Sequence, residues 1–411
     1  MRWLVPGMDG FLISQNSTKK LDVILAADAL RPPLTGIGRY TYEVARRLAQ
    51  HDTVERLRYF SMGQWLDDPL AVLHSSTAAG DASSTPLAVP RGPTLRTRLA
   101  TSPLAVRVYC ALTPTYFGWR LRGNGKSIYH APNYIVPPFQ GKTVSTVHDL
   151  SHVLYPQFHP RARVDYLNLT LGPSLARTTH VITVSEAVRQ EMLERGLMPP
   201  ERITAILEAA DASFCPHTPE MLAPAMQALG LRPGHYCLFV GTVEPRKNVE
   251  RLIQAYELLP DEIRRACPLV VAGGKGWNSE TVHARMAKAS QEGWLRYMSF
   301  VDQRWLPALY AGARLMAYPS LYEGFGLPIV EAMASGTPVL TSNTSCMPEV
   351  SAGAAKLVNP LDVEDIRHAL EACICDEVWL AEARSKGLAR ASTLSWDRCV
   401  EETISVYQML A

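Results

Sequence analysis

Two glutamates separated by seven residues, Glu323 and Glu331, frame the stretch of this 411-residue chain whose residue types best suit chemistry. The stretch runs Tyr318-Pro319-Ser320-Leu321-Tyr322-Glu323-Gly324-Phe325-Gly326-Leu327-Pro328-Ile329-Val330-Glu331-Ala332. It reads as a strand end, a glycine-punctuated loop and the start of a helix. Pro328 suits the first helical position, where its fixed φ and missing N–H cost nothing. Gly336 closes a helix expected from about Pro328 to Ser335. Gly324 and Gly326 let the backbone approach a ligand where unpaired N–H groups and the positive end of the helix dipole face outward. Glu331 is expected in the first turn beside that anion site, and Glu323 on the loop. An anion held by backbone donors and flanked by two carboxylates suggests a sugar nucleotide, with phosphates for the helix end and hydroxyl pairs for the carboxylates. Glycine-rich loops before helices are common, and glutamates are ordinary helix-start charges, so spacing alone leaves both readings open.

Other chemically apt residues stand at strand ends. Leu21 to Ala27 reads as a buried strand, followed by a loop from Ala29 to Gly38 and a helix to about Gln50. Gly36-Ile-Gly38-Arg39 falls at that turn but lacks the third glycine of a dinucleotide fingerprint. Ser127–His130 and Thr143–Val147 read as short core strands, the second leading into His148-Asp149. A strand-terminal histidine more often satisfies a core hydrogen bond than performs chemistry. Arg246-Lys247 follows another strand, and a basic pair at a helix start is ordinarily exposed surface, where a lysine contributes little to stability.

These residues need a scaffold. A chain of this length exceeds what one core usually serves, so two domains are expected. The N-terminal half adds a strand at Val181–Val184, a helix capped by Ser185 and running to Gly196, and a strand-like stretch from Ile203 to Asp211. His217 to Gly234 is rich in Pro, Met and Ala and reads as a linker region. Strands then alternate with helices: Tyr236–Gly241, helix Val249–Leu259, Leu269–Gly273, helix Glu280–Gln291, Met298–Val301, helix Trp305–Ala311 and strand Leu315–Tyr318. Such alternation implies α/β domains with parallel sheets and ligands at the strands' carboxyl ends. Trp396–Leu410 reads as a final helix.

The full string around Glu323 and Glu331, with its Gly-Phe-Gly-Leu-Pro interior, resembles the signature of the retaining glycosyltransferases of family GT4. The resemblance extends with gaps from about residue 21 to 360, is strongest from Cys237 to Glu349, and points toward bacterial mannosyltransferases of polysaccharide and lipid-linked glycan assembly. It implies the GT-B fold, two Rossmann-like domains facing a central cleft. The expected division is an extension at 1–20, an acceptor-side domain at 21–217, a nucleotide-sugar domain at 218–392 and a C-terminal helix at 393–411 crossing back. Residue by residue, it implies that His148 lies beside the transferred sugar with Asp149. Arg246 and Lys247 would neutralise the donor diphosphate, and Glu323 would take sugar hydroxyls next to Gly324, Phe325, Gly326 and Leu327. Glu331 would hold the ribose, while Gly36, Gly38, Gly241, Gly273, Lys275 and Leu306 would border the donor. The chain departs from the pattern at Thr242, where the family has an arginine, and at Glu208-Ala-Ala210, which replaces a Pro-Asn-Gly turn, so no site is carried over from that turn.

The resemblance implies hexose transfer, with mannose from GDP-mannose to a glycan or lipid-linked acceptor as the leading expectation. A UDP-sugar donor is the alternative within the fold, and an inactive sugar-nucleotide-binding protein the alternative outside it. A dinucleotide oxidoreductase is disfavoured by the incomplete glycine fingerprint. No Asp-x-Asp motif stands out, so no metal or other cofactor is expected. The net charge of +2 gives no global pull toward nucleic acid. No run of eighteen apolar residues reads as a membrane span, residues 1–20 do not read as a signal peptide, and the eight scattered cysteines fit a reducing cytosol. From Ala82 to His148 there is no Asp or Glu, while Arg91, Arg96, Arg98, Arg107, Arg120, Arg122, Lys126 and Lys142 are basic. Pro103 and Pro114 are expected to break any long helix there. The segment reads either as a solvated insertion or, over residues 91–126, as a surface for an anionic membrane or lipid-pyrophosphate acceptor, at the inner face of the plasma membrane.

Overall fold

The computed structural model describes residues 20–31, 34, 36–71 and 103–411, so residues 1–19 of the extension and 91–102 of the basic segment lie outside the described residues. Two parallel sheets dominate. The first has seven strands: β1 (Leu21–Ala26), β2 (Val54–Ser61), β3 (Gln64–Leu66), β4 (Ile128–Ala131), β5 (Lys142–Val147), β6 (His180–Thr183) and β7 (Ile203–Ala205), in the order β3-β2-β1-β4-β5-β6-β7. Among the described residues only the β2–β3 hairpin is antiparallel. The second sheet comprises β8 (Cys237–Val240), β9 (Leu269–Ala272), β10 (Leu295–Met298), β11 (Leu315–Tyr318), β12 (Val339–Ser342) and β13 (Ala355–Val358), in the order β10-β9-β8-β11-β12-β13. That is the doubly wound order, with its switch between β8 and β11. Their central strands read as nearly unbroken apolar runs because helices cover both faces. The two sheets form the Rossmann-like pair of a GT-B protein.

Helix α1 (Gly36–Leu48) starts three residues earlier than expected, so Gly36 and Gly38 lie in its first turn rather than in a loop. Helix α2 (Pro103–Arg120) contains Pro114 and is not broken by it. A proline removes one backbone bond and kinks a helix, a penalty that packing against α3 (Arg161–Arg177) offsets. The supposed linker holds α5 (Pro219–Leu229), which follows α4 (Glu186–Glu194) and is capped by the Thr218 hydroxyl. Its Leu222, Ala225 and Met226 join the core of the second domain, so this segment is structure rather than tether. The β10 strand begins three residues before the expected one, leaving Val301 outside it.

The helices that follow include α6 (Val249–Glu257), α7 (Glu280–Gln291), α8 (Leu306–Ala311), α9 (Leu327–Ala334), α10 (Val363–Cys375), α11 (Glu377–Ser392) and α12 (Trp396–Leu410). The last of these crosses back. Its Trp396, Cys399, Val400, Ile404 and Tyr407 are buried in the first domain's core with Tyr40, Val44 and Leu48 of α1. The Tyr407 hydroxyl lies 2.5 Å from His130 Nδ1, and His130 Nε2 lies 2.9 Å from the Thr146 hydroxyl. Burial, then the neighbouring His148, pushes His130 down to about 3, so the ring is neutral and needs one donor and one acceptor. Tyr407→Phe should therefore leave a buried ring nitrogen unpaired and lower the unfolding free energy by about 1–3 kcal/mol. Urea denaturation measures this, and an unchanged midpoint would mean that the contact does not anchor α12.

Candidate active site in the interdomain cleft

The site is built on the loop between β11 and α9. Its backbone is pinned by the segment leaving β12. The Thr341 hydroxyl donates to the Tyr318 carbonyl at 2.9 Å, Ser342 to Ser320 at 2.6 Å, and Ser345 to Glu323 at 2.5 Å. The Leu321 N–H donates to the Arg246 carbonyl at 2.9 Å, tying the loop to the turn after β8. Gly326, at φ 89°, ends the loop and precedes a helix whose first turn has no side-chain cap. That positive φ is why a glycine stands there.

Glu323 is 5% exposed and its carboxylate is saturated. Lys247 Nζ lies 2.7 Å from Oε1 and 2.9 Å from Oε2, Arg246 donates to Oε2 at 2.8 Å, and the Tyr318 hydroxyl to Oε1 at 3.0 Å. These four contacts account for about all the lone-pair sites a carboxylate offers. Burial raises the Glu323 carboxyl's proton affinity, but Arg246 and then Lys247 outweigh it and hold the group below the usual carboxylate range. Burial pulls Lys247 down while Glu323 opposes it, and the short contacts to both oxygens are those of an ionised pair. Arg246 also donates to Glu244 at 2.9 Å and to the Tyr322 carbonyl at 2.9 Å. Burial would lower Arg246, but Glu323, Asp149 and Glu244 outweigh it, so its charge is permanent here.

Across the cleft stand His148 and Asp149. A Cβ at Gly324 would overlap the His148 carbonyl oxygen, so only glycine permits this approach of the two domains. Ser185 donates to the Gly324 carbonyl at 2.6 Å, and Glu349 accepts from the N–H groups of Glu186 and Ala187 at 2.8 and 2.9 Å, capping α4 from the opposite domain. Tyr322 donates to Glu191 at 2.6 Å and accepts from the Leu150 N–H at 3.1 Å. Asp149 accepts from the Ser151 N–H at 2.9 Å and its hydroxyl at 2.6 Å. Burial would raise Asp149, but Arg246, Ser151 and His148 outweigh it and keep it ionised.

Glu331 is the fifth residue of α9, in its second turn rather than its first. It is 7% exposed, accepts from the Tyr310 hydroxyl at 2.8 Å on Oε2, and burial raises its carboxyl despite Arg39. Phe325 is buried in the second domain's core, and Leu327 packs against both domains' cores, with Gly36 beside it. Gly241 and Gly273 are stacked backbone to backbone, Gly273 having no room for a Cβ, and Leu306 opens α8 half-buried. Lys275 is exposed and pairs through its backbone with Val243.

The family model described as Glycosyltransferase Family 4 matches residues 34–214, and that described as Glycosyl transferases group 1 matches residues 227–387. The O-antigen chain mannosyltransferase B of Escherichia coli is 36% identical over 390 residues, covering 95% of this chain and 100% of that protein. The chain belongs to the glycosyltransferases of family 4. The serotype-specific mannosyltransferase WbdA of Escherichia coli is 32% identical over 264 residues, which is 62% of this chain and 32% of WbdA. Among solved structures, sucrose-phosphate synthase from Thermosynechococcus elongatus superposes with a TM-score of 0.70 at 20% identity, covering 95% of this chain and 99% of that one. WaaG, a glycosyltransferase involved in lipopolysaccharide biosynthesis, gives 0.69 at 16% identity over 93% and 99%. At such identities the superpositions establish the GT-B fold.

In this family-4 chain the structure brings Arg246, Lys247, Glu323, Gly324, His148 and Asp149 together, and places Glu331 nearby behind Tyr310. Lys247 is not the exposed loop residue its sequence context suggested: the side chains of Arg246 and Lys247 are 13% and 12% exposed. Tyr318, Ser345, Glu244 and Glu208 were missed. Tyr318 looked like an ordinary strand end, and Glu208 sits where the family's turn is absent. Because Lys247 balances a buried carboxylate, Lys247→Met should destabilise the fold by about 3 kcal/mol, and the double variant with Glu323→Gln should recover part of that loss. Denaturant melts of the four proteins of the cycle measure it. Additive losses would show that the two groups do not interact.

Proposed function

We propose that this protein moves a hexose, mannose from GDP-mannose, onto a glycan or lipid-linked acceptor with retention of anomeric configuration. The reading is carried by the buried Glu323–Arg246–Lys247 cluster at the contact between Gly324 and the His148 carbonyl. The names of the Escherichia coli mannosyltransferases support the choice of sugar.

The uncapped N–H groups at the start of α9 would take the donor phosphates, with Arg246 and Lys247 neutralising charge as the phosphate leaves. The two cations already supply the positive field that a metal provides in other transferases, so no metal or other cofactor is invoked. Glu323 would hold the cations in place and face the sugar. Glu331 accepts from Tyr310 on Oε2, no hydrogen bond to Oε1 is seen among the described residues, and the carboxylate would take ribose hydroxyls. His148 and Asp149 would flank the sugar from the acceptor side. No nucleophilic side chain is assigned: the leaving phosphate would help deprotonate the acceptor on the same face. Nucleic acid has no part in this reading, and the cytoplasm is the proposed compartment.

Affinity for free GDP separates the two glutamates. Glu331→Gln should weaken GDP binding about tenfold or more, a loss of about 1.4 kcal/mol. Glu323→Gln should keep GDP affinity while kcat falls by about 10². Calorimetry and mannosyl transfer from GDP-mannose, run against UDP- and ADP-sugars and with EDTA, read both; a reversed pattern or a metal requirement overturns the assignment.

The acceptor side includes α2, where Leu112, Tyr116 and Trp119 are exposed at 66%, 47% and 58%, with Arg120, Arg122 and Lys126 following. This arrangement supports peripheral contact with an anionic membrane through residues 91–126. Binding to anionic vesicles should exceed that to neutral vesicles and weaken as salt rises. Equal binding to both, or none, overturns it.

A further inference from the structure

Glu208 lies where the resemblance offered no functional residue, yet it is 3% exposed and faces the His148 ring. His148 Nδ1 lies 3.2 Å from Glu208 Oε1, and Nε2 lies 2.8 Å from the Pro132 carbonyl oxygen. Both ring nitrogens therefore face oxygen acceptors. The Pro132 carbonyl can only accept, so Nε2 carries a proton; a neutral ring would then turn its Nδ1 lone pair toward Glu208 Oε1, a buried oxygen with no hydrogen-bond partner among the described residues, and only the imidazolium sets an ion-pair charge beside it.

The surroundings fix this ring. Tyr40 of α1 packs edge-on at 4.9 Å and 87°, and its hydroxyl lies 2.9 Å from Thr146, which contacts neutral His130. The charged and titratable groups facing the pair are Tyr40, His130, Asp149 and Cys399 of α12, with Arg246 acting on Asp149 across the cleft. Burial alone would strip the proton from His148, but Glu208, the Pro132 carbonyl and Asp149 outweigh it and raise the ring above its ordinary value. Its own carbonyl meets Gly324.

We propose that Glu208 is a positioning residue for glycosyl transfer: it holds His148 as a fixed imidazolium, so the backbone from His148 to Asp149 stays seated against Gly324 with a cation beside Asp149. This rests on the glycosyl-transfer reading of the cleft. The charged ring is fully present below the ordinary histidine value and is lost as pH rises through the raised folded value. Transfer should therefore decline on the alkaline side.

The test is the pH profile of kcat/KM for wild type, Glu208→Gln and Glu208→Asp, with the histidine ring resonances followed by NMR in the wild-type protein. Glu208→Gln should move the alkaline limb to lower pH, so that its deficit is about tenfold larger at pH 8 than at pH 6. Glu208→Asp, which keeps the charge, should leave the limb closer to wild type. A Glu208→Gln profile that is lowered uniformly, with the limb unmoved, overturns the proposal. If Glu208→Gln does not fold, the wild-type titration decides: a His148 ring that titrates above the ordinary histidine value supports the proposal, and one at or below it overturns it. A wild type that transfers no sugar from any sugar nucleotide would refute the function reading, while the ring titration would still judge the Glu208 contact.

Discussion

A buried carboxylate cannot stand alone, and the geometry of this cleft follows from that constraint. Glu323 sits on a loop whose glycines bring backbone close to the opposite domain, so its charge needs partners within reach. The turn after β8 supplies them as Arg246 and Lys247, and β11 supplies Tyr318. Two separate chain segments, the turn after β8 and the stretch from Tyr318 to Glu323, are thereby registered against one another by a single group. The cations are held by this chain's own groups, so in the proposed reaction little reorganisation would be needed as negative charge develops on a leaving phosphate.

The same loop is also where the two domains touch. Gly324 touches the His148 backbone, Ser185 reaches the Gly324 carbonyl, and Glu349 caps α4 across the gap. Trp277 donates to the Phe158 carbonyl at 2.5 Å farther along the cleft. Most of these contacts join polar atoms, which can exchange with water at modest net cost, unlike apolar core burial. The two domains thus meet here through hydrogen bonds rather than through a shared hydrophobic core. The α12 helix, buried in the first domain while its chain neighbours pack on the second, ties the two halves together.

The alternation of apolar runs with amphipathic stretches made the second domain legible, because each parallel strand is covered on both faces and reads as continuous Val, Leu, Ile and Ala. Helix Glu280–Gln291, strand Leu315–Tyr318 and helix Trp396–Leu410 fall where their patterns place them. Strands β2 and β3 were not legible, since β2 carries Glu55, Arg56 and Arg58 on a half-exposed edge. Helix α2 was obscured by Pro114, whose local cost a packing partner overrides. At the site, the family-like residues could be found by motif, but motif spacing says nothing of burial. Lys247 looked like surface because a basic residue at a helix start usually is; only the fold shows that it answers Glu323. Glu208 was invisible for a different reason, because its partner is sixty residues away in sequence and the local string matches no turn.

The two glutamates that frame the motif are not equivalent, and their hydrogen bonds show why. All four contacts to Glu323 come from this chain's own donors, so a sugar hydroxyl reaches that carboxylate only by displacing Lys247, Arg246 or Tyr318. Direct binding of sugar hydroxyls, the simplest role for a loop carboxylate, is thus the less economical one here. Holding the cations against the leaving group fits the geometry better. Glu331, by contrast, accepts from Tyr310 on one oxygen, which orients the carboxylate and leaves the other available for a ligand. Its burial makes an unmatched charge expensive, and Arg39 from the opposite domain offsets that expense. A ribose hydroxyl pair would replace solvent at the remaining oxygen. One carboxylate of the motif therefore organises the protein's charges, while in the proposed function the other would take the ligand's hydroxyls.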